Sequence, residues 1–117
     1  MKMVVAIIRP EKLEAVQQAL NERDVYLMTV SDVRGCGRQR GYTEVYRGTE
    51  FQVRLLPKLK LEIAINEAFV EATIEAIVHA ARTAETGQIG DGKIFVLPLE
   101  DCVRIRTGER GGDAIGP

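Results

Sequence analysis

The chain has 117 residues, 45% of them hydrophobic and 28% charged, with a formal net charge of −1. That length supports one domain with a real core and is too short for two. The near-neutral balance excludes a global field that would recruit nucleic acid or an anionic membrane, and no apolar run approaches the length of a membrane span. No charged-then-apolar leader follows Met1, and the two cysteines, Cys36 and Cys102, form no metal or redox spacing. A reduced, cytoplasmic compartment is therefore expected.

Lys2–Arg9 (KMVVAIIR) is a short Val/Ile-rich run and predicts a buried strand. Pro10 suits the first position of a helix, where its missing N–H is not needed, and Glu11 suits the first turn. Leu13, Val16 and Leu20 recur at helical spacing opposite Glu14, Gln17, Gln18 and Glu22, which predicts an amphipathic helix over about 10–23. The next strand is expected over Val25–Val33.

The chain then changes character. Gly35–Gly41 (GCGRQRG) is a glycine loop with cationic side chains, and the following YTEVYRGTEF is polar, aromatic and poor in core residues. A long excursion of this kind in a small domain points to function. A plain β-hairpin supported by Val45, Tyr46, Phe51 and Val53 is the alternative.

Lys58–Ile65 alternates strictly: Leu59, Leu61, Ile63 and Ile65 against Lys58, Lys60, Glu62 and Ala64, as a strand with one buried face requires. Asn66 is a candidate N-cap for a helix over about 67–83, whose apolar stripe is Val70, Ile74, Ile77, Val78 and Ala81 and which Gly87 is placed to end. Ile94–Leu97 is a fourth strand, closed by Pro98. Val103 and Ile105, alternating with Arg104 and Arg106, predict a short final strand, and the glycine-rich 107–117 reads as a flexible tail.

Between the second helix and the fourth strand lies TGQIGDGKIFV, residues 86–96. Its glycines let successive backbone N–H groups line a concave surface, and Lys93 adds a point charge, a combination that suits a chain of phosphates. A P-loop is excluded, because the G-x-x-x-x-G-K-[ST] spacing is absent. A tight turn whose glycines serve only the backbone remains the bland alternative.

The order strand–helix–strand, long loop, strand–helix–strand predicts an α+β, ferredoxin-like split β-α-β sandwich (βαββαβ) as a single domain. One face of its antiparallel sheet is then uncovered, so oligomerisation is expected. His79, the only histidine, reads as a surface or half-buried helical residue. Cys36 has no histidine or second thiol to make it a nucleophile or a metal ligand.

GCGRQRG, YRGTEF, LPKLKLEI, TGQIGDGKIFV and VRIRTGE occur in this order, cover nearly the whole chain, and together resemble the PII signal-transduction proteins of nitrogen control. The resemblance implies a homotrimer that binds ATP or ADP in clefts between subunits and senses 2-oxoglutarate beside bound Mg-ATP. It implies phosphate contacts from Gly35, Gly37, Arg38 and Gln39 and from Gly90, Asp91, Gly92 and Lys93, with Arg104 and Arg106 reaching in from the neighbouring subunit. Thr29, Glu62 and Ala64 match the positions around the adenosine; Gln39 resembles the Mg²⁺ ligand and, with Lys58, the holder of 2-oxoglutarate.

A loop over about 37–55 is implied to dock on targets such as an ammonium channel or glutamine synthetase through Tyr46, Arg47, Gly48, Thr49 and Phe51. No nucleic-acid partner is implied, and membrane contact arises only through a channel. Phe51 stands where uridylylated bacterial relatives carry tyrosine, so that modification has no acceptor. The helix before the glycine stretch (HAARTAETG) reads about three residues longer than the family pattern, so its join to the loop is expected to differ. A small trimeric ATP-hydrolysing or phosphoryl-transfer enzyme is the competing reading, but Asp91 and Glu62, the nearby acids, have no histidine or cysteine partner. A structural trimer of the cation-tolerance type would not need two glycine loops with matching cations.

Overall fold

The computed structural model describes residues 1–36 and 55–116. The elements are β1 (Lys2–Ile8), α1 (Leu13–Asn21), β2 (Thr29–Gly35), β3 (Leu56–Ile65), α2 (Val70–Ala81), β4 (Gly92–Pro98) and a terminal turn of helix α3 (Gly112–Ile115). Short 3-10 turns, Pro10–Lys12 and Glu67–Phe69, lead into α1 and α2. The four strands form one sheet in the order β2-β3-β1-β4, and every neighbouring pair is antiparallel. This is the expected α+β ferredoxin-like arrangement, in which each β-α-β crossover steps over one strand.

Register sorts the side chains onto two faces. Val4, Ala6 and Ile8 of β1 lie opposite Ile63, Leu61 and Leu59 of β3, and all six are buried. The helices cover that face with Val16 and Leu20 of α1 and with Val70, Ala76 and Ile77 of α2. The spacing of four between Val16 and Leu20 and of seven between Val70 and Ile77 puts each pair on one helical stripe, with Ala76 beside it. The opposite face carries Met3, Val5 and Ile7 from β1, Phe95 and Leu97 from β4, and Lys58, Lys60, Glu62 and Ala64 from β3. Phe95 and Leu97 of this face stand about half exposed in the single chain.

Several boundaries differ from the sequence reading, each for a physical reason. β2 starts at Thr29, not Val25: Asp24 turns the chain at φ 61°, Val25 tucks back under α1 through its N–H to Leu20 O, and Tyr26 and Leu27 stay exposed. α2 ends at Ala81, where Arg82 is extended, so Gly87 does not terminate it and the extra residues enter the following loop rather than lengthening the helix. Asn66 occupies the N-cap position, yet its side chain makes no cap bond; it donates to the carbonyls of Gly112 and Gly116.

Those two bonds belong to the largest correction. No strand forms over 103–106: Val103 makes only an isolated bridge to Arg110, and the intervening residues turn. The segment read as a flexible tail folds back, Asp101 receiving the Arg110 guanidinium and the Gly111 N–H, while Ala114 and Ile115 of α3 are buried.

Candidate functional site

The glycine stretch is a braced loop between α2 and β4. Asp91 is its centre. Oδ2 accepts the backbone N–H groups of Thr83 (2.9 Å) and Gln88 (2.8 Å), and Oδ1 accepts the Thr83 hydroxyl (2.6 Å) and Arg9 Nε (3.0 Å). The other arm of Arg9, Nη2, donates to Ile89 O at 2.9 Å, and Lys58 Nζ donates to Gly90 O at 2.7 Å. The loop is thus tied to the ends of β1, β3 and α2.

The electrostatics follow from these contacts. Burial alone would raise the Asp91 carboxyl, but the donors from Thr83, Gln88 and Arg9 outweigh it and hold the group far below the usual carboxylate range. Burial pushes the Lys58 ammonium down, and the neighbouring Arg9 charge adds to that push. The Glu11 and Asp91 charges only partly offset that push, so an anion arriving here meets a partly desolvated cation, which strengthens the attraction.

Register brings Thr29, Lys58, Glu62, Ala64 and Lys93 of the expected residues onto one surface. Thr29, Glu62, Val5 and Phe95 form one row across the open face, and Ser31, Lys60, Ile7 and Lys93 form the next. Thr29 and Glu62 are direct cross-strand partners, and Ala64 follows two residues on along β3. Lys58 lies opposite Val33 at the end of that surface, about 13 Å along β3 from Glu62 at some 3.3 Å per residue.

There a cavity of about 500 Å³ opens, lined by Gly35, Lys58, Gly90, Gly92 and Lys93 of the expected set. Ile7, Val33, Arg34, Cys36, Leu56, Ile89 and Phe95 complete it; the sequence reading set Cys36, Ile89 and Phe95 within the two glycine stretches but assigned none of the seven a ligand contact. Three cations, five apolar side chains and exposed backbone give a pocket for an anion with an apolar stem. Thr29, Glu62 and Ala64 share the face but not this lining.

Arg104 and Arg106 stand apart from the cavity lining. Arg104 is held within its own segment, by Glu109 Oε1 at 2.9 Å and by the carbonyls of Asp113 and Ala114. Arg106 is exposed, beside Ile105, which is fully exposed on the same turn. Gly37, Arg38, Gln39, Tyr46, Arg47, Gly48, Thr49 and Phe51 lie outside the described residues, as does the expected hairpin. Cys36 is a free, exposed thiol and Cys102 is also free. Among the described residues no group of three or more His, Cys, Asp or Glu side chains could hold a metal ion, and no helix is long and apolar enough to cross a membrane.

A family model described as nitrogen regulatory protein P-II matches residues 1–109. The chain is 56% identical over 115 residues to the nitrogen regulatory protein P-II of Rhodospirillum rubrum, spanning 98% of this chain and all of that protein. It is 55% identical, over the same shares, to the protein of that name from Azospirillum brasilense. A third relative, the nitrogen regulatory protein GlnK1 of Methanosarcina mazei, is 53% identical over 98% of this chain and 97% of its own length.

Proposed function

Since this chain belongs to the nitrogen regulatory protein P-II family, whose members named above are regulatory proteins rather than enzymes, we propose that it binds ATP or ADP and 2-oxoglutarate between the subunits of a homotrimer and passes that state to target proteins. The observation that carries this reading is the cationic cavity at the end of the open sheet face, where Lys58, Lys93 and Arg34 surround the glycine loop. Triphosphate and dicarboxylate ligands both need such a combination of fixed amides and cations. Thr29, Glu62 and Ala64 on the same face fit an adenosine that lies along the sheet from the phosphates.

Gly35, Gly37, Arg38 and Gln39 would close over the phosphates from one side and Gly90–Lys93 from the other, with Arg104 and Arg106 arriving from a neighbouring subunit. Arg104 then exchanges its contacts with Glu109 and the α3 carbonyls for phosphate oxygens. The Gln39 side-chain oxygen, a hard ligand, would hold Mg²⁺, which would supply positive charge to offset that of the phosphates. Lys58 pairs with a carboxylate of 2-oxoglutarate. In the cytoplasm, the loop over about 37–55 then carries the signal: Arg47, flanked by Tyr46 and Gly48, enters the exit of an ammonium channel when 2-oxoglutarate is low. Thr49 and Phe51 extend that contact, and glutamine synthetase is the second type of target.

Calorimetry tests the reading directly. ATP should bind alone, and 2-oxoglutarate should release heat only in the presence of Mg-ATP, each ligand tightening the other by the same factor. Failure of ATP to bind would refute the nucleotide site, and 2-oxoglutarate binding equally without ATP would refute the shared metal. Arg47→Ala should abolish capture by the channel in a pull-down; capture that survives it, or that ignores 2-oxoglutarate, would refute the docking mode.

A further inference from the structure

The family pattern places Asp91 among the groups around the phosphates, yet every feature of its surroundings points elsewhere. A carboxylate offers about four lone-pair sites, and four donors already occupy those of Asp91: two N–H groups on Oδ2, a hydroxyl and a guanidinium on Oδ1. It has no acceptor capacity left for a metal ion and, being acidic, nothing to donate to a phosphate. Its side chain is also largely buried, 17% exposed beside an Arg9 that is 22% exposed.

We propose that Asp91 and Arg9 are positioning residues, a paired brace that holds the glycine loop in its anion-binding shape without touching the anion. The proposal rests on the nucleotide-binding reading above. Asp91 gathers the Thr83 and Gln88 amides at the two ends of the loop, so the chain between them has to arch outward. Arg9 reaches from the end of β1, grips the Asp91 carboxylate, and holds Ile89 O with its second arm. Turning that carbonyl toward the guanidinium fixes the peptide plane next to Gly90, whose φ of 100° depends on it. Lys58 grips the adjacent Gly90 O, so a residue that does touch the anion is registered to the same brace. Arg9 also cancels the Asp91 charge, which would otherwise repel phosphate.

Asp91→Asn separates this role from simple charge, because the two make opposite predictions. If Asp91 is only a nearby negative charge, its removal tightens ATP binding. If it is the brace, an amide in either orientation sets an NH₂ against an N–H donor of Gln88, Thr83 or Arg9, the loop relaxes, and ATP weakens by about tenfold or more. Adenosine, which lacks phosphates, should bind the variant as it binds the parent protein. The loss should be equal with ATP in Mg²⁺ and with ATP in a metal chelator, since Asp91 holds no metal.

Arg9→Leu should weaken ATP to a similar degree, and the double variant should lose no more than the worse single one. Thr83→Ser, which keeps the hydroxyl donor, should retain parental affinity and serves if Asp91→Asn fails to fold: Thr83→Val, losing that donor alone, should then show the ATP-specific loss. Tighter ATP binding by Asp91→Asn, a loss confined to Mg²⁺ conditions, or additive losses in the double variant would overturn the proposal. If the parent protein itself binds no ATP, the nucleotide reading falls first and the brace falls with it.

Discussion

A Cβ on Gly92 would overlap the carbonyl oxygen of Ile7 and stand 2.8 Å from its carbonyl carbon. Gly92 opens β4 opposite Ile8 at φ 107°, a conformation that L side chains rarely adopt. Steric overlap with backbone cannot be relieved by a rotamer change, so Gly92→Ala has to pull β4 off β1 at its first pair. The expected cost is at least about 3 kcal/mol in urea unfolding, from strain added to lost ladder bonds. Anion binding should vanish with it, because Lys93 is the next residue. A variant with parental stability and parental ATP affinity would contradict this close approach.

Thr73 presents the opposite case. It is fully buried on α2 among apolar neighbours, and its hydroxyl has no hydrogen-bond partner. An unsatisfied buried hydroxyl costs on the order of 1–3 kcal/mol, and valine has nearly the same shape without the polar atom. Thr73→Val should therefore raise stability by about 1 kcal/mol, read as a higher urea midpoint at unchanged slope. A lower midpoint would mean that the hydroxyl is satisfied in solution.

How much of this was legible beforehand depended on range. The strand at Lys58–Ile65 was plain because alternation is local: Leu59, Leu61, Ile63 and Ile65 mark one face without reference to anything else. The two helical stripes, apart from Val78, which is exposed, the strand order class and the glycine-lysine stretch were readable for the same reason. Arg9 was not, since its partners Ile89 and Asp91 lie 80 and 82 positions away and nothing near Arg9 signals them. Asn66 misled because a side chain that can cap a helix can equally bind a distant carbonyl, and Gly112 and Gly116 won it. The 103–106 alternation failed as a strand because a strand needs a partner edge. Among the described residues, Val103 finds only Arg110.

Acid titration reads the Asp91 brace through stability. Its folded-state carboxyl lies well below the ordinary value, so the stabilisation is fully present above the unfolded pKa of about 3.9 and is lost as pH falls through the folded value. The melting temperature of the parent protein should therefore drop steeply between about pH 5 and pH 2. Asp91→Asn should start lower at neutral pH and show a shallower acid limb. Parallel curves for the two proteins would show that Asp91 contributes nothing to the acid transition.

Assembly is tested on the open sheet face. Val5 and Phe95 lie side by side there, with Met3 and Leu97 in the next row, and Phe95 is 49% exposed in the single chain. A contiguous apolar surface of this kind on a small domain needs a partner, and three copies closing around one axis would bury it. Phe95→Glu sets a carboxylate in that surface beside Val5, where burial without a cation is costly. Light scattering at micromolar concentration should report a trimer for the parent chain and monomers for the variant. The variant should keep its far-ultraviolet dichroism, because Phe95 faces away from the core that holds the helices to the sheet. ATP affinity should fall as well, both because Arg104 and Arg106 of a neighbouring copy would no longer reach the cavity and because position 95 lines that cavity, where a carboxylate repels phosphate. A stable monomer for the parent chain, or a trimer that survives Phe95→Glu with its ATP affinity intact, would exclude this face as the interface.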